Sequence, residues 1–134
     1  MKKTLLVLLL LFSIGLTAHA ETEWFKAYQY AYHLKDKSTG GWQNWSSWNR
    51  CAIEVKIDWD NEVITIFGGE TMRYEVTQYV DSFEDRKGGR QVKVKIVDQE
   101  GVQGVMRLRV EQNGKAQIYL DFAYGTLVYS IEKK

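Results

Sequence analysis

The segment CAIEVKIDWDNEVITIF, residues 51–67, constrains the fold of this chain more strongly than any other part of the sequence. In its first half, apolar residues alternate with polar or charged ones, and this period of two predicts a strand with one buried face. A turn at Asp60-Asn61 then reverses the chain, since Asn tolerates positive φ. The resulting hairpin sets Ile57 opposite Ile64, so apolar side chains share one face and the register is specified.

The rest of the chain after residue 20 repeats this pattern of alternating segments and short turns, with no proline and no long segment of helical period. Seven or eight consecutive strands are predicted, which makes an all-β antiparallel meander. Closure removes exposed strand edges, so we expect an up-and-down barrel of the lipocalin or streptavidin kind. A two-layer β-sandwich is the alternative.

The turn sequence QNGK predicts a second hairpin closer to the C-terminus. Placing Val110 opposite Ile118 requires a three-residue connection with a bulge at Gly114. The same register sets Arg107 opposite Asp121 on the solvent side.

Residues 1–20 have the pattern of a secretory signal peptide, with two lysines, a mostly apolar run and the cleavage motif AHA. We predict cleavage after Ala20, a single β domain over residues 21–134, and a periplasmic or secreted protein. The apolar run is too short to span a bilayer well and no second run follows, so no membrane insertion is expected. The 18 Lys and Arg residues nearly balance the 17 Asp and Glu residues, which argues against binding to nucleic acid.

Candidate catalytic and metal-binding groups are few. His33 is the only histidine after the predicted signal peptide, so metal sites with two histidine ligands are excluded. Cys51 could form a thiol dyad with His33, but its phase with Ile53 predicts a small apolar core residue instead. We therefore expect a non-enzymatic protein without a catalytic residue, a metal or a cofactor.

Asp58, Asp60 and Glu62 form an oxygen-rich group around the first predicted turn. A calcium ion takes six to eight oxygen ligands, and this segment lacks the glycine and the distal glutamate of an EF-hand loop. The group is therefore either a cation site or a hairpin turn flanked by solvated acids.

The segment GGWQNWSSWNRC places Trp42, Trp45 and Trp48 three residues apart, a spacing that fits neither a strand nor a straight helix. It resembles the tryptophan ladder of thrombospondin type 1 repeats, but the cysteines that such a repeat needs are missing, so that family is rejected. Two interpretations remain open. Either the rings form an exposed platform that stacks on sugar rings or another apolar ligand, or Trp42 and Trp48 close one barrel end while Trp45 packs on a neighbour.

Two further residues are candidates for ligand contact. Tyr30 lies on an aromatic face of its strand together with Tyr28, Tyr32 and Leu34. Gln78 interrupts the apolar face of its strand, so it is either a polar group inside a pocket or the mark of a register change or bulge.

The segments IEVKIDWDNEVITIF, YEV, VKIVDQEG and RLRVEQNGKAQIYLDF resemble those of small exported β-proteins of Gram-negative bacteria. The resemblance implies a compact barrel-like domain and carries over no catalytic residue.

The sequence thus predicts an exported binding module for a small apolar or carbohydrate ligand, with ligand contacts from Trp42, Trp45, Trp48, Tyr30 and Gln78. The alternative is a protein-interaction or inhibitor module of the bacterial envelope. It would use the loop at 81–89 or an outer sheet face with Lys93, Lys95, Arg107, Arg109 and Tyr119.

Overall fold

A computed structural model gives the structure of residues 22–84 and 86–134, so the predicted signal peptide lies outside the described residues. Eight antiparallel strands form a closed barrel, in which each strand pairs with the next and the last pairs with the first. The strands are β1 (Thr22–Leu34), β2 (Asn49–Asp58), β3 (Val63–Phe67), β4 (Thr71–Glu84), β5 (Arg90–Val97), β6 (Gln103–Val110), β7 (Lys115–Phe122) and β8 (Gly125–Lys133). The predicted all-β meander and its closure into an up-and-down barrel are confirmed, and the sandwich alternative is wrong.

Side chains that point into the barrel pack together along its middle. The largest fully buried ones are Phe25, Ile57, Ile64, Ile66, Ile96, Met106, Leu108, Ile118, Leu120, Ile131, Val55 and Val92. Burying an apolar side chain of this size contributes roughly 1.5–3 kcal/mol. The middle of the barrel is therefore a packed core, and ligand sites have to be sought at its ends or on its outer face.

The two ends of the barrel carry different connections. The end that we call the Trp end carries the connections after β1, β3, β5 and β7, and the first of these contains residues 42–48. The end that we call the terminal end carries the turns after β2, β4 and β6. It also carries both ends of the described chain, where the backbone N–H of Lys134 donates a 3.1 Å bond to the carbonyl of Trp24.

The hairpin of β2 and β3 has the predicted register, with Ile57 opposite Ile64. Its turn differs from the prediction, because the residue with positive φ is Glu62, at 60°, and not Asn61. The Asp58 carboxylate accepts bonds from the backbone N–H of Asn61 at 3.0 Å and from its side-chain amide at 2.9 Å. Side-chain capping by Asp58 therefore stabilises the turn.

The hairpin of β6 and β7 keeps the predicted three-residue connection but not the predicted register. Gly114 has a φ of 88°, the left-handed conformation that glycine adopts most easily. Val110 pairs with Ala116 instead of Ile118, which is a shift of two residues. Such a shift leaves each side chain on its predicted face, because the side-chain period of a strand is two.

The inward face of β1 changes along the strand. Ala27 is buried in the core, and the register with both neighbouring strands shifts between Ala27 and Gln29. Beyond this irregularity, Tyr30 pairs with Tyr129, and Tyr129 in turn pairs with the core residue Ile118. Tyr30 therefore faces inward.

A similar irregularity decides the position of Gln78 in β4. The register with β5 shifts between Val76 and Gln78, and Gln78 then pairs with the exposed Lys95. Its side chain is exposed on the outer face. The bulge interpretation of Gln78 is confirmed, and the interpretation as a polar group inside a pocket is wrong.

Candidate functional site: an aromatic segment beside the first strand

The Trp segment, residues 42–48, runs antiparallel to the last residues of β1. Trp42 forms a bridge with Lys35, and the backbone N–H of Gln43 donates a 2.8 Å bond to the carbonyl of Leu34. Further along, Ser46 and Tyr32 are joined by two bonds. The backbone N–H of Ser46 donates to the carbonyl of Tyr32, and the backbone N–H of Tyr32 donates to Ser46 Oγ, each at 2.9 Å. The segment thus occupies the position beside β1 that β2 takes nearer the terminal end.

A tight turn precedes the segment and sets its direction. The backbone N–H of Asp36 donates a 2.7 Å bond to Gly41, and the N–H of Gly40 donates a 2.8 Å bond back to Asp36. Gly40 has a φ of 72°, which a residue with a side chain rarely adopts. Both the hydroxyl and the backbone N–H of Ser38 donate to the Asp36 carboxylate, and these bonds lower the pKa of Asp36.

The imidazole of His33 contacts two of the three tryptophans. Its ring centroid lies 4.7 Å from that of Trp42 and 4.8 Å from that of Trp45, with interplanar angles of 28° and 21°. The ammonium group of Lys35 lies 5.2 Å from the centroid of the Trp42 ring. Mutual stacking of this kind contributes roughly 0.5–1.5 kcal/mol per pair beyond the buried area. The rings of Trp42 and Trp45 are therefore held in place by the strand beneath them.

All three tryptophans of the segment are half exposed. The exposed fractions are 50% for Trp42, 49% for Trp45 and 48% for Trp48, and none of the three belongs to the buried core. The interpretation in which Trp42 and Trp48 close the barrel end is therefore wrong. The structure supports the other geometric premise, that of an exposed aromatic surface.

The two other predicted contact residues lie away from the Trp segment. Tyr30 faces inward, where its ring centroid lies 6.1 Å from that of Tyr129. Burial, followed by the proximity of Cys51 and Tyr30, raises the pKa of Tyr129 to about 12. Since successive residues of a strand alternate in direction, Tyr30 and His33 lie on opposite faces of β1. Gln78, on the outer face of β4, is also separate from the tryptophans.

The sequence pointed to His33 as a candidate for a thiol dyad, and not as a contact of the tryptophans. The outward direction of His33 depends on the irregularity between Ala27 and Gln29, which reverses the phase of β1. The sequence carries a trace of the irregularity, because Phe25 and Ala27 precede it at odd positions whereas the tyrosines and Leu34 follow it at even positions. The threefold spacing of the tryptophans was the sequence signal for an aromatic site, and nothing in the sequence placed the imidazole against their rings.

The acidic residues that the sequence offered as a cation site flank a capped hairpin turn. Asp58 is held by Asn61, as described above. Partial burial would raise the pKa of Asp58, but the hydrogen bonds from Asn61 and the charge of Lys56 outweigh it and lower that pKa. Within residues 22–84 and 86–134, no group of three or more His, Cys, Asp or Glu side chains could hold a metal ion.

Cys51 and His33 point to opposite sides of the barrel wall, so the thiol dyad is wrong. The Cys51 thiol packs against the core and donates a weak 3.6 Å bond to the carbonyl of Ala27. Burial raises its pKa, which makes the reactive thiolate scarcer.

An ion pair occupies the outer face near the C-terminal strands. The Arg107 guanidinium donates to both carboxylate oxygens of Asp121, at 2.7 and 3.2 Å, and it lies 4.3 Å from the Tyr119 ring centroid. Tyr119, and not Asp121, is directly opposite Arg107, so the predicted pairing is wrong while the predicted contact is made diagonally. The Thr126 hydroxyl donates a further 2.8 Å bond to Asp121.

No family model, no curated protein and no solved structure matches this chain. In the described part of the chain, no helix is long and apolar enough to cross a membrane.

Proposed function

We propose that the protein is a non-enzymatic binding module that holds a carbohydrate on its Trp segment. The observation that carries the proposal is the equal, half-exposed state of Trp42, Trp45 and Trp48 on a backbone fixed by hydrogen bonds to β1. An exposed indole face stacks readily on the apolar C–H face of a sugar ring. Three such rings lie within one segment of seven residues, 42–48.

The residues between the tryptophans favour a carbohydrate over a purely apolar ligand. Gln43, Asn44 and Ser47 are exposed and alternate with the rings. Amide and hydroxyl groups can both donate and accept hydrogen bonds, which suits the hydroxyl groups of a sugar. A purely apolar ligand would offer no hydrogen-bond partner to these amide and hydroxyl groups.

The contacts of the rings reduce the cost of binding. Ordering a flexible side chain at an interface costs roughly 0.5–1.5 kcal/mol. Trp42 and Trp45 already stack on His33 in the free protein, and Ser46 holds the backbone between them and Trp48. Less ordering is therefore needed when a ligand binds.

The experiment is a titration of intrinsic tryptophan fluorescence with neutral cello-, xylo- and manno-oligosaccharides. We expect at least one to bind, and Trp45→Ala to weaken it roughly two- to tenfold, the worth of one stacked ring. Trp24→Ala is the matched control, because Trp24 is 39% exposed but lies on β1 near the terminal end. Its loss should lower total fluorescence and leave the affinity unchanged.

Two results would reject the proposal. One is a panel in which no oligosaccharide changes either the fluorescence or the melting temperature. The other is binding that persists unchanged in Trp45→Ala and in Trp42→Ala, since the ligand would then lie elsewhere.

The alternative of a protein-binding outer face has weaker support. Asp121 already engages the Arg107 guanidinium, and Tyr119 covers it. A protein partner would have to replace these internal contacts before it could bind the Arg107 guanidinium.

A further inference from the structure

A groove on the outer face of β2, β3 and β4 is separate from the Trp segment. It has a volume of about 450 Å³, and its lining includes Lys56, Asn61, Thr65, Phe67, Thr71 and Arg73. Ligand pockets of proteins commonly have volumes of about 300–1,000 Å³. The groove is thus large enough for a small ligand.

Two cations and one hydroxyl form a single rung across this groove. Thr65 pairs with Lys56 on one side and with Arg73 on the other. Neighbouring strands are about 4.8 Å apart, so the backbones of Lys56 and Arg73 are separated by about 10 Å. Thr65 is only 9% exposed and forms the floor between the two longer side chains.

The charge of this rung is only partly balanced by the protein. Within residues 22–84 and 86–134, the Arg73 guanidinium makes no hydrogen bond or ion pair. The Lys56 ammonium lies 5.4 Å from the Trp24 ring centroid. Asp58 is the acid that lines the groove, and both of its carboxylate oxygens already accept bonds from Asn61.

An aromatic ring lies at the Trp end of the groove. Phe67 stacks on Trp24 with ring centroids 6.0 Å apart and an interplanar angle of 16°. This contact leaves Phe67 40% exposed. The groove therefore combines a fixed apolar ring, hydroxyl and amide groups, and two cations.

We propose that this groove binds an acidic saccharide, that is, a sugar ring bearing a carboxylate. The carboxylate lies between Lys56 and Arg73, where charge-assisted hydrogen bonds are roughly twice as strong as neutral ones. Thr65, Thr71 and Asn61 bond the sugar hydroxyls, and Phe67 packs on the ring. A simple inorganic anion would use only the two cations. This site does not depend on the Trp segment and stands if the function proposed above fails.

The test is calorimetric titration with trigalacturonate, using neutral galactotriose as the uncharged comparison. We expect trigalacturonate to bind at least about tenfold more tightly than galactotriose, and Arg73→Gln or Lys56→Gln to remove about tenfold or more of that affinity. Lys95→Gln is the matched control, because it removes the same charge from the exposed outer face of β5. That variant should bind as the parent does.

Amide chemical shifts distinguish this site from the Trp segment. Trigalacturonate should move the signals of residues 56, 65 and 73, and leave those of 42–48 in place.

The proposal is overturned if trigalacturonate does not bind, if Arg73→Gln and Lys56→Gln bind as the parent does, or if galactotriose binds equally well. It is also overturned if inorganic sulfate binds as tightly as trigalacturonate, since charge alone would then explain the affinity. If Arg73→Gln lowers the melting temperature, Thr65→Val serves instead and should also weaken binding.

Discussion

Among the glycines of the described residues, Gly104 is the one at which an added Cβ atom would come nearest to another atom. A Cβ atom at this position would lie 2.5 Å from the Cε1 atom of Phe122 and 2.7 Å from the backbone oxygen of Asp121. The Phe122 ring also stacks on Tyr124, with centroids 5.3 Å apart. A substitution at Gly104 would therefore disturb both the β6–β7 pairing and the aromatic side chains of the Trp end.

We expect Gly104→Ala to lower the free energy of unfolding by about 1–3 kcal/mol, the usual cost of overpacking. Urea denaturation followed by circular dichroism measures this. Gly69→Ala is the control, because a Cβ at Gly69 meets nothing within 4 Å. Equal denaturation midpoints for the two variants would contradict this prediction, because they would mean that β7 can shift to accommodate the added methyl group at little cost.

The hairpins show how far alternation predicts the elements. In β2 and β3 the apolar residues and the short turn together left one register, and that register is observed. In β6 and β7, two registers that differ by two residues both place apolar against apolar, so alternation could not choose between them. The choice comes from the connection, where the backbone N–H of Glu111 donates a 2.7 Å bond to Lys115.

Ser46 is the residue whose side chain joins the Trp segment to β1. Ser46→Ala removes the bond from the Tyr32 N–H to Ser46 Oγ. We expect faster hydrogen exchange of the Tyr32 amide and little change in melting temperature, because both groups are exposed. Ser47→Ala is the control, since the Ser47 side chain makes no hydrogen bond within residues 22–84 and 86–134. Unchanged exchange in Ser46→Ala would mean that the backbone bonds alone hold the segment.

At the scale of the whole molecule, closure of the barrel was predictable and the position of the aromatic site was not. A long meander has two edges, and pairing β8 with β1 satisfies both. Alternation puts His33 on the face of β1 opposite Tyr30, but it does not show that the residues before β2 fold back beside β1 and bring two tryptophans onto the imidazole. The sequence left open whether the three tryptophans form an exposed platform or Trp42 and Trp48 close the barrel end, and the structure shows all three about half exposed.

The buried tyrosines predict how the whole barrel responds to alkali. Burial raises the pKa of Tyr129 to about 12 and raises the pKa values of Tyr74 and Tyr79 as well. The folded state thus holds protons that the unfolded state releases near pH 10. The contribution of Tyr129 to stability is complete below pH 10 and is lost as the pH rises toward 12.

Urea midpoints measured from pH 8 to pH 11 test this prediction, with pH values chosen at roughly one-unit intervals around the ordinary tyrosine pKa. The parent should lose stability as the pH passes 10. Tyr129→Phe keeps the ring and removes the titrating hydroxyl, so this variant should lose less stability than the parent over the same pH range. If the urea midpoint fell equally with pH in both proteins, the loss of stability could not be assigned to Tyr129.

Both ends of the described chain meet at the terminal end, where Lys134 bonds to Trp24, and the Trp segment lies at the other end. A sensor surface that captures the protein by a tag after residue 134 would leave residues 42–48 facing the solution. The same arrangement permits circular permutation. A short linker from residue 134 to residue 22, with new termini in the connection between β5 and β6, would keep all eight strand pairs in the same order around the barrel.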